Sequence, residues 1–202
     1  MILFTNHLFS FKCIFLQMLL VITGTPGTGK STLAKVLSEK LSLSILSVSQ
    51  FVIERKLYTD YDELRKSYVI DEDRLVDALR DELKKGNVIV ETIYPSVIEN
   101  PDLVVLLRKD PRILYKELIN RGWSELKSAE NAMSEAIGYV ASEAWDTFVN
   151  VCEIDVTKLN VEETANLVIS RKCMDKVDWL SYDGMEEFLS FLDNVISRYS
   201  EH

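Results

Sequence analysis

Three of the chain's seven glycines, Gly24, Gly27 and Gly29, stand within six positions of the stretch TGTPGTGKST. Glycine loses more backbone entropy on folding than any other residue, so such crowding calls for a backbone that must curl tightly or approach something closely. The pattern Gly24-x-x-x-x-Gly29-Lys30-Ser31 fits a phosphate-binding loop. In such a loop successive backbone N–H groups point inward at phosphate oxygens, and the following helix turns its positive end toward them. Lys30 would then reach the β- and γ-phosphates, and the Ser31 hydroxyl would ligate magnesium. Two further features bear on the same chemistry. Glu91 closes the apolar run NVIVE, where a strand end in an open α/β sheet faces the binding crevice and a carboxylate suits Mg2+, directly or through water. Arg108, Arg112 and Arg121 cluster after a later apolar run. Phosphoryl transfer asks a protein for alignment and charge neutralisation, which the planar guanidinium supplies.

The flanking residues supply the elements that the loop requires. Leu19–Ile22 is a short apolar run before the glycines, and Leu33, Val36, Leu37 and Leu41 recur at helical spacing after them. Further strands are expected at 43–48, 87–91, 103–107 and 151–155. A short helix is expected over 50–56 and an irregular substrate loop over YTDYDELRKSY. Asp71 reads as the N-cap of an amphipathic helix through Leu75, Val76, Leu79 and Leu83, stopped by Gly86. Asp110-Pro111 opens another helix that ends at Arg121-Gly122. One long helix is expected over 128–148, a capping box at Asn160 and Glu163, and a terminal helix carrying Phe188, Leu189, Leu192 and Ile196. Continuous apolar strands alternating with helices indicate an α/β fold, a five-stranded parallel sheet covered by helices on both faces.

Composition removes several alternatives. The net charge of −9 argues against a surface built to grip nucleic-acid phosphates and suits a basic protein partner. The histidines, His7 and His202, lie near the two ends, which leaves none for acid–base work in the middle of the chain. Cys13, Cys152 and Cys173 form neither a C-x-x-C pair nor a zinc spacing, so reduced thiols and a cytoplasmic setting are expected. The first 17 residues are apolar but interrupted by Asn6, His7, Lys12 and Gln17, which speaks against a signal peptide or a membrane span. Met18 stands where a phosphate-loop strand begins, so residues 1–17 read as an extension outside the fold. GTPase chemistry is disfavoured by the absence of an N-K-x-D motif.

Beyond these features, the stretches TGTPGTGKST, IDEDRLVDAL, NVIVE, VVLLRKDPRILYKELINRGW, AEN with Glu135, and KVDW resemble the adenylate kinase isoenzyme 6 type, the coilin-interacting nuclear ATPase family, whose archaeal members are described as adenylate kinases. The resemblance implies that 18–202 forms one phosphate-loop kinase domain of the nucleoside-monophosphate-kinase kind, with a monophosphate-binding segment at 47–70 and a lid at 120–130. It implies ATP contacts at Gly27, Gly29, Lys30, Ser31 and Thr32, with Arg121 as a nucleotide-binding arginine. The implied reaction is transfer of the γ-phosphoryl group of MgATP to AMP, with Lys30, Arg121 and Arg108 as catalytic residues and Ser31 and Glu91 at the metal. It also implies a possible ATPase step and a role in small ribosomal subunit maturation through a basic ribosomal protein. Two departures stand out. The family's D-x-H is Glu91-Thr92-Ile93 here, and Ile53 replaces an arginine of the monophosphate segment. A nucleotide-switched assembly factor with little kinase activity, and another small-molecule phosphate-loop kinase such as a shikimate or dephospho-coenzyme A kinase, are the competing readings.

Overall fold

The computed structural model describes residues 18–84 and 86–199, so the expectations for 1–17, Cys13 and both histidines lie outside the described residues. The chain runs β1 (Leu19–Thr23), α1 (Lys30–Leu41), β2 (Ser44–Ser47), α2 (Val48–Arg55), β3 (Tyr58–Asp62), β4 (Ser67–Ile70), α3 (Glu72–Leu83) and β5 (Val88–Glu91). It continues with β6 (Leu103–Arg108), α4 (Pro111–Asn120), α5 (Glu125–Ala136), α6 (Tyr139–Thr147), β7 (Val151–Asp155), α7 (Val161–Ile169) and α8 (Met185–Ser197). Five strands form one parallel sheet in the order β2-β5-β1-β6-β7. Because β1 lies between β5 and β6, Thr23, Glu91 and Arg108 all come to the carboxyl edge of neighbouring strands, where the loop after β1 begins.

Alternation along the strands divides the core into two layers. Leu20, Ile22, Ile89, Val105 and Leu107 pack under α1 and α7 on one face. Val21, Val90, Val104 and Leu106 meet residues of α2, α3 and α6 on the other. Both faces are covered, so continuous apolar strands are what the sheet requires. Caps anticipated in the chain are present: Asp71 accepts from the Arg74 amide, Asp110 from that of Arg112, and Asn160 with Glu163 forms a reciprocal capping box.

Three expectations are corrected. The stretch read as an irregular loop is an antiparallel hairpin, β3–β4, and Tyr58 and Tyr61 both meet the Tyr68 ring. The helix expected over 128–148 is two helices. Gly138, at φ +69°, ends the first and opens α6, redirecting the chain toward the β6–β7 side of the sheet. The thiol expectation fails for one pair: Cys152 in β7 and Cys173 beyond α7 form a disulfide, their Cα atoms 4.9 Å apart. The bridge holds the segment after α7 against β7, where the Met174 amide also donates to the Glu153 carbonyl. Spacing rules look for cysteines that are near in sequence, whereas here α7 carries the chain back over the sheet edge.

The disulfide closes a loop spanning 21 positions, and a cross-link of that length restricts the unfolded chain by about 3 kcal/mol. Cys173→Ser should therefore lower the unfolding free energy by about 3 kcal/mol in non-reducing denaturant titrations, and reductant should bring the wild type to the same midpoint. A wild-type midpoint indifferent to reductant would remove the bridge from the account of stability.

Candidate functional site

The loop between β1 and α1 is shaped by contacts that few side chains would permit. Gly24 has φ +138°, and a Cβ there would run into the Leu107 carbonyl of β6. The loop carbonyls of Gly24 and Thr25 turn toward Lys30, whose Nζ donates to them at 2.7 and 3.1 Å. Lys30 is 6% exposed, with its ammonium enclosed by the loop. Burial pulls its pKa down from 10.5 to about 8, while the charges of Glu91 and Glu135 pull the other way. The ammonium thus rests on two neutral carbonyls and, among the described residues, is paired with no carboxylate at contact distance. An anion arriving at the loop would complete its shell.

At the end of β5, Glu91 Oε1 accepts from the Ser31 hydroxyl at 2.5 Å. Two oxygen donors on adjacent elements at the mouth of the loop form a hard-ligand pair suited to Mg2+. Among the described residues no three His, Cys, Asp or Glu side chains gather as a metal cluster, so a cation held here would draw its other ligands from phosphate and water.

A cleft of about 600 Å3 opens from this point. Its floor is Gly27, Gly29, Lys30, Ser31, Thr32 and Glu91. One wall is α2 and the hairpin, through Val48, Val52, Ile53, Tyr68 and Ile70. The other wall is the α4–α5 turn with the first turn of α5, through Arg121, Trp123 and Lys127. Across the mouth Arg65, in the hairpin turn, forms a two-toothed pair with Glu130 of α5, Nη2 to Oε1 at 2.6 Å and Nε to Oε1 at 2.9 Å. A second groove of about 160 Å3 lies beside the loop, lined by Thr28, Gly29, Thr32, Lys109, Val156 and Leu159.

The sequence-derived site residues thus come together at one cleft, with one exception. Arg121 lines it and is held by Glu117, Nη2 to Oε2 at 3.0 Å; Glu117 also binds Lys109 at 2.8 Å. Arg108, expected beside the reacting phosphates, is instead 3% exposed behind the loop. It pairs with Glu135 at 2.8 Å and Glu153 at 2.9 Å, and donates to the carbonyls of Val177 and Glu135. Two buried carboxylates claim its charge, and it does not line the cleft. Cleft residues not singled out from the sequence are Tyr68, within the expected 47–70 segment, Trp123 and Lys127, within the expected 120–130 lid, and Tyr94, outside both. Tyr68 stands in β4, Tyr94 and Trp123 in the connections after β5 and α4, which carry no periodicity, and Lys127 in the first turn of α5.

The family described as "AAA domain" matches residues 20–138, the segment that contains the loop, the cleft and α5. The chain belongs to that family. A protein of Sulfurisphaera tokodaii named "Putative adenylate kinase" is 50% identical over 184 residues, covering 91% of this chain and 97% of its own. A Saccharolobus solfataricus protein of the same name is 46% identical, covering 90% of this chain and 98% of its own. By this similarity the chain is a member of the archaeal group so named. Among solved structures, shikimate kinase from Bacteroides thetaiotaomicron superposes with a TM-score of 0.56 at 16% identity, covering 77% of this chain and 98% of that one. A gluconokinase from Sinorhizobium meliloti gives 0.53 at 13%, covering 76% of this chain and 90% of that one. These two likenesses show the fold, a phosphate-loop kinase sheet with its helices.

Lys30 carries a stability consequence with a definite sign. Its folded pKa lies below the unfolded one, so between about pH 8 and 10.5 the unfolded chain holds a proton that the folded chain has shed, and stability rises with pH across that window. The rise should approach about 3 kcal/mol in wild type relative to Lys30→Met, read by denaturant unfolding at pH 7.5, 9 and 10.5. Parallel curves for the two proteins would show that the ammonium is solvated and its burial misassigned.

Proposed function

We propose that this protein transfers the γ-phosphoryl group of ATP to AMP. The observation that supports this reading best is the undivided cleft. It runs from a phosphate loop and an oxygen-donor pair to the wall formed by α2 and the hairpin, where a second small nucleotide would lie. The names of its archaeal relatives point the same way. In this reading the donor's triphosphate wraps over Gly27, Gly29, Lys30, Ser31 and Thr32, its base against the groove beside Lys109 and Leu159. Ser31 and Glu91 would hold Mg2+, which when bound neutralises β- and γ-phosphate charge. Arg121 leaves Glu117 for the transferring group, and Lys127 follows from the same turn. Arg108 has a positioning role, since its charge is spent on Glu135 and Glu153.

The assignment to the isoenzyme 6 type belongs to the same proposal, as does a cytoplasmic setting. Among the described residues no helix is long and apolar enough to cross a membrane. The acidic net charge of −9 supports the second activity that this resemblance brings, salt-sensitive binding of a basic small-subunit ribosomal protein. Direct nucleic-acid binding is not expected from that charge.

Two measurements test the reaction. Lys30→Ala should abolish ADP formation, and Arg121→Ala should lower kcat by about 10²-fold with a much smaller loss of ATP affinity, because a lid charge matters most once charge has shifted toward the transition state. Equal losses in both parameters would place Arg121 outside the reacting centre. The departure at Ile93 gives the second. AMP offers an already ionised phosphate oxygen and needs no general base, whereas water needs a group to orient it. ADP formation with AMP should exceed phosphate release from ATP alone by about 10²-fold or more, and Ile93→His should raise the latter more than the former. Rapid hydrolysis without AMP, unchanged by that substitution, would defeat this part of the reading.

A further inference from the structure

Behind the phosphate loop lies a carboxylate that the reaction as drawn does not use. Glu135, near the end of α5, is 1% exposed. It accepts four hydrogen bonds: from the Thr25 hydroxyl at 2.5 Å, Arg108 Nε at 2.8 Å, Trp179 Nε1 at 2.9 Å and the Lys109 amide at 3.1 Å. Three of these donors come from the β6 end and from the segment before α8, and they fix where the carboxylate sits. The fourth belongs to the phosphate loop. Thr25, itself fully buried, is held from two sides. Its hydroxyl is given to Glu135, and its carbonyl accepts from Lys30 Nζ at 3.1 Å and from the Thr28 hydroxyl at 2.9 Å.

We propose that Glu135 is a positioning residue for nucleotide binding: through the Thr25 hydroxyl it sets the curve of the phosphate loop, and through the Thr25 carbonyl the direction in which Lys30 points. Glu135 touches no reacting atom. It ties the loop to the helix whose first turn carries Lys127 of the cleft wall, so the loop and that wall share one rigid anchor. A neutral acceptor would hold the Thr25 hydroxyl less firmly, because a hydrogen bond to an ionised group is about twice as strong as one between neutral groups. The proposal rests on the nucleotide-binding part of the reading above and not on the identity of the acceptor.

The test is titration of the protein with MgATP in which a non-hydrolysable analogue replaces ATP, with no acceptor present. Thr25→Val removes the hydroxyl and leaves the Arg108 ion pairs intact; it should weaken the analogue by about tenfold or more, the scale of one hydrogen bond to a charged group. Thr25→Ser keeps the hydroxyl and should restore wild-type affinity. A merely structural role would lower the unfolding midpoint of Thr25→Val without changing affinity in the folded protein. Glu135→Gln keeps the shape of the acceptor and removes its charge; it should weaken the analogue in the same direction as Thr25→Val. If Thr25→Val binds as wild type does, or if Thr25→Ser binds as weakly as Thr25→Val, the proposal is overturned. Should the analogue bind as expected while AMP accepts no phosphate, the failure lies with the acceptor assignment and Glu135 keeps its role.

Discussion

Arg108 brings a full positive charge to a place that water does not reach, and two carboxylates have to be buried with it. Removing ions from water costs several kcal/mol each, and their attraction repays that only when nearly every donor and acceptor finds a partner. Here Nε and Nη1 meet Glu135 and Glu153, and the remaining reach of the guanidinium ends on two carbonyls and against the Trp179 ring. Glu153 is finished by the Trp145 indole and the Val177 amide, Glu135 by Trp179, Lys109 and Thr25. The network therefore collects β6, β7, α5, α6 and the segment before α8 at one point beneath the phosphate loop. Apolar packing could hold the same elements together, but it would not specify where each backbone sits to the same degree.

Lys30 is the opposite case. It is nearly as buried as Arg108, yet it is given carbonyls where Arg108 is given carboxylates. A carboxylate in contact would satisfy the ammonium and would also compete with phosphate for it. The lowered pKa records what the folded protein forgoes by leaving that place open. Sites that hold charge for a ligand are destabilised in this way, and the surrounding fold must carry the cost. The Arg108 network, saturated with partners, lies directly behind the unsaturated lysine.

The sheet was legible because parallel strands covered on both faces must be continuous apolar runs, and Leu103–Leu107 can hardly be anything else. The loop was legible because its chemistry demands glycine and lysine at fixed spacing. Other features depend on facts that pattern does not encode. The hairpin was hidden by polarity: Tyr58–Asp62 is mostly solvent-facing, so apolar alternation is weak there. The break at Gly138 was hidden because apolar residues continue at helical spacing on either side. Arg108 was assigned to the cleft from its neighbours in the chain, but the end of a strand has two sides, and the carboxylates that claim it come from 27 and 45 positions away. The disulfide likewise joins residues that only the path of α7 brings together.

On the proposed reaction the acceptor lobe poses a remaining electrostatic problem. Its α2 and hairpin wall offers Val48, Val52, Ile53, Tyr68 and Ile70, with the hydroxyls of Ser49 and Ser67, and it brings no cation to a phosphate dianion. Among the described residues that line the cleft, the cations are Lys30, Arg121 and Lys127. Lys30 is committed to the donor, so the acceptor's charge falls to the α4–α5 turn. That turn belongs to the body that Glu135 anchors, while the hairpin reaches it through the Arg65–Glu130 pair. Arg65 is 45% exposed and Glu130 25%, so this two-toothed pair is open to water and screened by salt. The apolar wall would then be the moving half of the cleft and the cationic wall the fixed half. A phosphate held by the fixed half stays in register with the loop whether the hairpin is open or shut, which is the order of events that in-line transfer between two bound nucleotides requires.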